Sequence, residues 1–165
     1  MLPPANYREW VYLSTGLGMS YTAKPADAPN FDNVFVNPEA YHSFLATGTW
    51  PDKTVMVLEG REARSNGSIN QSGHFQGTGI TGVEVHVKDE GRFPSKWAFF
   101  DFGPGANGKL IPQAASCYTC HAEHGAVDNT FVQFYPTLLP IAKDKGTLSA
   151  EFLKDEAAHV APAAK

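Results

Sequence analysis

Residues 117–121 read Cys117-Tyr118-Thr119-Cys120-His121, and this short run holds both cysteines of the chain. Side chains three and four apart share one face of a helix. Two thiols and an imidazole at this spacing therefore point the same way if the stretch is helical. Two cysteines so spaced and followed at once by histidine form the c-type haem attachment pattern. Each thiol adds across a haem vinyl group to form a thioether, and the histidine reaches the iron as proximal ligand. A structural zinc site takes four protein ligands. His124 would supply a fourth, but no second cysteine pair supports it. A thioredoxin-like redox pair sits in a βαβ context, which the sequence does not show. The expected cofactor is one covalent haem c, bound by Cys117, Cys120 and His121, with His121 on the metal.

The 165 residues suffice for one domain with a real core, so a single haem domain over 1–165 is expected. With 42% hydrophobic and 18% charged residues the chain reads as globular. Its 15 glycines and 12 prolines favour a turn-rich sheet over a helix bundle, and so argue against the four-helix cytochromes. A net charge of −4 gives no electrostatic case for nucleic acid. No apolar run approaches the ~20 residues of a membrane span. Met1-Leu2-Pro3-Pro4-Ala5-Asn6 does not read as a signal peptide. Covalent haem c is normally installed outside the cytoplasm, so a periplasmic location is expected from the motif, with the export signal absent from this numbering.

Along the chain, 6–14 reads as a short helix running into a strand at 10–13, and 16–30 as loop. A short strand is expected at 33–36. Asn37-Pro38-Glu39 then gives an N-cap with proline at the first helical position. Tyr41, Phe44 and Leu45 form the apolar stripe of that helix, and Gly48 ends it. The clearest strand is 53–59. Residues 60–73 read as a hairpin connection, and 74–88 as a long strand alternating through Ile80, Val83, Val85 and Val87. Gly77, Gly79 and Gly82 within it suggest a bulge or a close approach to something flat. An aromatic-rich strand at 96–102, a turn at 103–109, the haem-bearing helix at 113–123 and a short tail helix from 151 complete the reading. The fold class is α+β and β-rich. A twisted antiparallel sheet carries a few short helices, one with the haem motif.

The ordered set of segments resembles the cytochrome P-460 family. Asn6-Tyr7-Arg8-Glu9-Trp10, Asn37-Pro38-Glu39-Ala40-Tyr41, Gly48 with Asp52 and Thr54-Val55, and Lys96-Trp97-Ala98-Phe99 carry the likeness. So do the run from His121 to Asp128 and Phe131-Val132-Gln133-Phe134-Tyr135-Pro136. The resemblance implies a β-rich homodimer with five-coordinate haem c and an open distal site. It also implies one of two branches. In the cytochrome P-460 branch a strand lysine is covalently joined to the porphyrin, and the enzyme oxidises hydroxylamine. In the cytochrome c′-beta branch that link is missing, and members bind nitric oxide and carbon monoxide. The cross-linking position matches Leu58, with Glu59 after it, and leucine has no nucleophilic nitrogen. Lys53 lies five residues earlier, and odd separation on a strand puts it on the opposite face. Glu84 matches the distal carboxylate that the P-460 branch uses as proton relay. Alternation alone leaves Glu84 facing either solvent or the pocket. Asp32 stands where family members can carry an arginine.

The leading expectation is a periplasmic protein of the c′-beta kind that binds nitric oxide and carbon monoxide. One alternative is an oxidoreductase of the P-460 type, or a Lys→Leu variant of one. It would oxidise hydroxylamine, or turn over like a peroxidase, with Glu84 as base. The other is an electron-transfer cytochrome with a soluble redox partner and a sixth protein ligand. For that ligand His86 is the serious candidate, with Met19 and Met56 behind it. Leu58, Phe99, Phe131 and Phe134 are expected to pack against the haem.

Overall fold

A computed structural model describes residues 3–21, 28–104 and 107–160. Among these, six strands form one open antiparallel sheet in the order β1-β2-β3-β4-β5-β6: Val11–Leu17, Asn30–Val36, Val55–Arg64, Phe75–Lys88, Trp97–Asp101 and Lys109–Leu110. Four α-helices accompany it: α1 Pro38–Thr47, α2 Ser116–His124, α3 Leu139–Lys145 and α4 Ala150–Val160. The architecture is the expected β-rich α+β class.

The sheet has two apolar faces, and strand alternation assigns residues to them. Val36, Met56, Trp97 and Phe99 join Phe44 of α1, Val132, Leu138 and Phe152 of α4 in the larger core. The odd-numbered neighbours Val57, Val83 and Val85 pack on the other face with Tyr7, Phe100 and Phe102. Register aligns the faces across strands: Val34 pairs with Leu58, Leu58 with Glu84, and Glu84 with Asp101. Leu58 and Glu84 therefore share the larger core's face, as do Met56 and its partner His86.

The α1 signals hold. Pro38 opens the helix and Gly48, with φ 75°, closes it in the left-handed region. Asn37 occupies the N-cap, but its Oδ1 accepts from the Val55 N–H at 2.8 Å and so anchors β3 to the helix start. Leu45 is 38% exposed, while Ala40 and Phe44 are buried. The inward face runs through the 40/44 pair, four apart, and Leu45 lies one step round from it.

Several boundaries shift. β1 runs on to Leu17, into the expected loop, and 22–27 of that loop lie outside the described residues. β3 begins at Val55 and continues to Arg64. The β3–β4 pairing skips at Gly60/Arg61 and again at Arg61/Ala63, so the glycine-bearing stretch does carry bulges. At Gly77 the Glu62 side chain takes up the space that a Cβ would need. The haem helix starts at Ser116, three residues later than read. Helix α3 was not expected, although Pro140 in its first turn and Gly146 at its C-cap are ordinary boundary signals.

Candidate haem site

Helix α2 brings Cys117, Cys120 and His121 to one wall of a cavity of about 490 Å³. The helix buries none of its own residues fully, and its anchor to the sheet is Tyr118. The Tyr118 hydroxyl accepts from the Phe99 N–H at 3.0 Å and donates to the Ile111 carbonyl at 3.2 Å. Its ring stacks on Phe99 with centroids 4.3 Å apart.

His121 is oriented from behind. Its Nδ1 lies 2.8 Å from the Asn129 carbonyl oxygen. A carbonyl only accepts, so Nδ1 carries the proton and Nε2 keeps a free lone pair, as a metal-ligating histidine requires. Burial pushes the His121 pKa down, outweighing the raising effect of that hydrogen bond, so the ring is neutral at pH 7. Burial, and next the neighbouring Cys117, hold Cys120 above the usual thiol range.

The Asn129 carbonyl comes from a two-residue turn. Asp128 and Asn129 have φ 49° and 59°, and Val127 and Thr130 bond across them in both directions. Two consecutive left-handed residues make the type I′ pattern, which Asn and Asp tolerate better than other L-residues. Gly125 lets this turn pack directly on the end of α2. A Cβ there would lie 2.5 Å from the His121 carbonyl oxygen and 2.8 Å from the Thr130 nitrogen.

The opposite wall is sheet: Val34, Met56, Leu58, Glu84 and Asp32. Phe131, Phe134, Tyr135, Met19 and Tyr21 also line the cavity. Phe99 does not line it; it sits in the core behind, 4.7 Å from the His121 ring. The two walls meet at His86, whose ring stacks on Phe99 at 4.1 Å and touches His121 edge-on at 4.9 Å. Rings in direct contact leave no slot for a porphyrin between them. Burial, then His121, drive the His86 pKa down to about 3, so it is neutral. Its 3.9 Å approach to Glu84 is therefore not an ion pair at neutral pH.

Glu84 and Asp32 both have raised pKa values. Burial is the first cause in each, with Asp101 and then Asp32 adding repulsion at Glu84. Glu84 faces the cavity wall and also a neighbouring hollow of about 360 Å³ that Asp32 and Asp101 share. Lys53 is remote. It sits in the turn before β3 with φ 66°, bonded to Asp89 at 2.6 Å, and no part of the cavity wall is made from it. His124 bonds Asp155 of α4 at 2.6 Å and is not among the residues lining the cavity.

Sequence reasoning passed over Asn129, Thr130 and Tyr118, which position the cysteine–histidine turn. The Asp128-Asn129 pair between Val127 and Thr130 is a turn signal that would have found the first two.

Two thiols and a correctly oriented neutral imidazole on one wall of an apolar cavity suit a covalently tethered haem, in a pocket of ordinary cofactor size. The fold and site thus fit the class of β-rich proteins that carry haem c. The sequence pattern of the Cytochrome P460 family matches residues 4–132, from the N-terminal turn through the haem helix and the turn behind it, and the chain belongs to that family. Proteins of this family carry c-type haem. Comparison with curated proteins gives no match. Among the described residues no helix is long and apolar enough to cross a membrane.

Proposed function

We propose that this is a haem c protein of the cytochrome c′-beta kind, which binds nitric oxide and carbon monoxide at an open iron position. The carrying observation is the sheet wall. Leu58 stands there, and among the described residues no lysine lines the cavity. The bound haem would supply an iron with one position free for a neutral diatomic. The chain would supply Cys117 and Cys120 as tethers, His121 as axial ligand, and an apolar surround from Leu58, Met56, Val34 and Phe131. Such a surround offers few hydrogen bonds to a charged or strongly polar ligand and tolerates a neutral one. The whole chain acts as one domain on this reading, in the periplasm, as a homodimer.

The test is the optical spectrum of the reduced protein before and after nitric oxide. A high-spin c-type spectrum that changes on addition is expected. A six-coordinate ferrous spectrum inert to nitric oxide overturns the reading.

Glu84 favours a second reading, an oxidoreductase acting on hydroxylamine. A carboxylate on the cavity wall with a raised pKa is placed to take a proton from a bound substrate. Steady-state oxidation of hydroxylamine with an electron acceptor, lost in Glu84→Gln, would support it. Absence of turnover in the parent protein would remove it.

A further inference from the structure

Lys88 is a buried charge bonded to the turn behind His121. It ends β4 with 6% of its surface exposed. Its Nζ donates to the Trp50 carbonyl at 2.7 Å and to the Asp128 carboxylate, with Glu90 at 3.5 Å. Burying an ion pair costs desolvation that its attraction repays only with good geometry and further hydrogen bonds. Packing alone does not call for one here. The pair's second member, Asp128, is the first residue of the turn that presents its neighbour's carbonyl to His121. The turn is held from a second side by the Trp50 indole N–H, which donates to Thr130 Oγ1 at 2.8 Å. Thr130 Oγ1 in turn donates to the Val127 carbonyl at 2.7 Å. Both anchors therefore close on the same four residues, and both pass through Trp50.

We propose that the Lys88–Asp128 pair, with Trp50 and Thr130, is a positioning device for the proximal histidine: it fixes the Asn129 carbonyl on His121 Nδ1 and so sets how strongly the imidazole donates to iron. The proposal rests on His121 being the iron ligand. A firm Nδ1–H bond to a carbonyl raises ligand basicity. A more basic imidazole stabilises the oxidised metal. Loosening the turn should lengthen that bond, weaken the iron–imidazole link and favour the reduced state.

The charge of Lys88 makes the test decisive. Deleting a buried cation beneath the turn behind His121 would, by electrostatics alone, favour the oxidised state. Positioning predicts the opposite sign. The experiment compares holoprotein of the parent, Lys88→Met and the neutral variant Trp50→Phe. The readouts are the ferrous iron–histidine stretching band by resonance Raman and the reduced-to-oxidised ratio at a fixed solution potential. The expected result is a lower-frequency band in both variants. The ratio should rise several-fold in Trp50→Phe and by less in Lys88→Met, where the lost charge works against the lengthened bond. An unmoved band with a falling ratio in Lys88→Met means charge alone and overturns the proposal. If Lys88→Met yields no folded holoprotein, Trp50→Phe and Thr130→Val carry the test, and an unmoved band in both overturns it. A parent protein with no iron–histidine band overturns the ligation by His121 itself, a distinct failure.

Discussion

The helix wall and the sheet wall of the cavity are built on opposite plans. Between His124 and Thr130 the polar groups are bonded to the rest of the chain at almost every step. Gln133 bridges the His124 carbonyl and the Ala126 N–H, Ser149 Oγ donates to the Gly125 carbonyl, and Trp50 and Lys88 hold the turn. The sheet wall has regular backbone pairing but little side-chain bonding into the cavity. Leu58 is apolar, and the cation-capable group beside Glu84, His86 at 3.9 Å, is neutral. Order on that wall comes from behind. Glu59, one residue on from Leu58 and facing the other way, is 2% exposed and takes hydrogen bonds from Tyr7, Arg8 and Arg61. The difference teaches that a tethered, directional ligand needs a rigid mount. A wall that only encloses space can take its order from behind.

The largest effect should come from breaking the helix wall. Replacing Cys117 and Cys120 together by serine leaves no thiol to form a thioether. Haem should then be fully extractable by acidified organic solvent, where the parent keeps it through denaturing electrophoresis. Retention of covalent haem in the double variant would sink the tether assignment. Next in size is the back of the sheet wall. Glu59→Ala removes the acceptor of three buried or half-buried donors and leaves Arg61 uncompensated, a loss of about 3 kcal/mol or more in urea unfolding. Burial raises the Glu59 pKa, but the hydrogen bonds from Tyr7, Arg61 and Arg8 outweigh it, and the folded value lies below the ordinary carboxylate value. The sign follows. Its stabilisation is complete above the unfolded pKa of ~4.3 and is lost as pH falls through the lower folded value. Unfolding titrations of parent and variant should therefore converge toward low pH.

The helix wall was the more legible of the two in sequence. Its chemistry is local: thiols and imidazole within five residues need one helical turn, and nothing distant changes that. Alternation along β3 and β4 also gave the paired faces, and a β-rich class followed from the glycine and proline content. What stayed hidden depends on contacts far apart in the chain. Lys88 and Asp128 are forty residues apart, and Trp50 and Thr130 eighty. No periodicity marks a lysine that will end up under a turn. The orientation of Glu84 was undecided for a related reason. Both faces of β4 are lined by apolar neighbours, so alternation distinguishes two sides without saying which one meets the helix. β3 starts later than its residue pattern suggests because Lys53 takes a left-handed conformation, which a strand-like pattern does not announce.

Leu58→Lys sharpens the comparison at the sheet wall. It introduces an amine where the family resemblance puts the cross-linking residue, on a wall already facing the cavity. If the wall needs only that nitrogen, the Soret band of the matured protein shifts strongly to the red and the haem gains a third covalent link, visible by mass spectrometry of the haem peptide. An unshifted spectrum with the lysine in place would mean that shape or charge at Glu84 and Asp32 also decides the branch. In either case fold stability should change modestly, because Leu58 is not fully buried and a lysine stem covers similar apolar surface.

Glu84→Gln should give the smallest change, and its sign is the opposite of that at Glu59. Burial, then Asp101 and Asp32, raise the Glu84 pKa in the folded protein. A carboxyl whose folded pKa is raised binds its proton more tightly when folded. Stability is then highest below the unfolded pKa of ~4.3 and declines as pH rises through the folded value. Glutamine removes that decline. The variant should match the parent near pH 4 and exceed it at pH 7. The margin is a few tenths of a kcal/mol, since the side chain is half exposed and solvent screens much of the repulsion. Thermal melts across that range measure it. A variant less stable than the parent at pH 7 would mean that the ionised carboxylate has a partner that holds it, and the sheet wall would then be as purposefully bonded as the helix wall facing it.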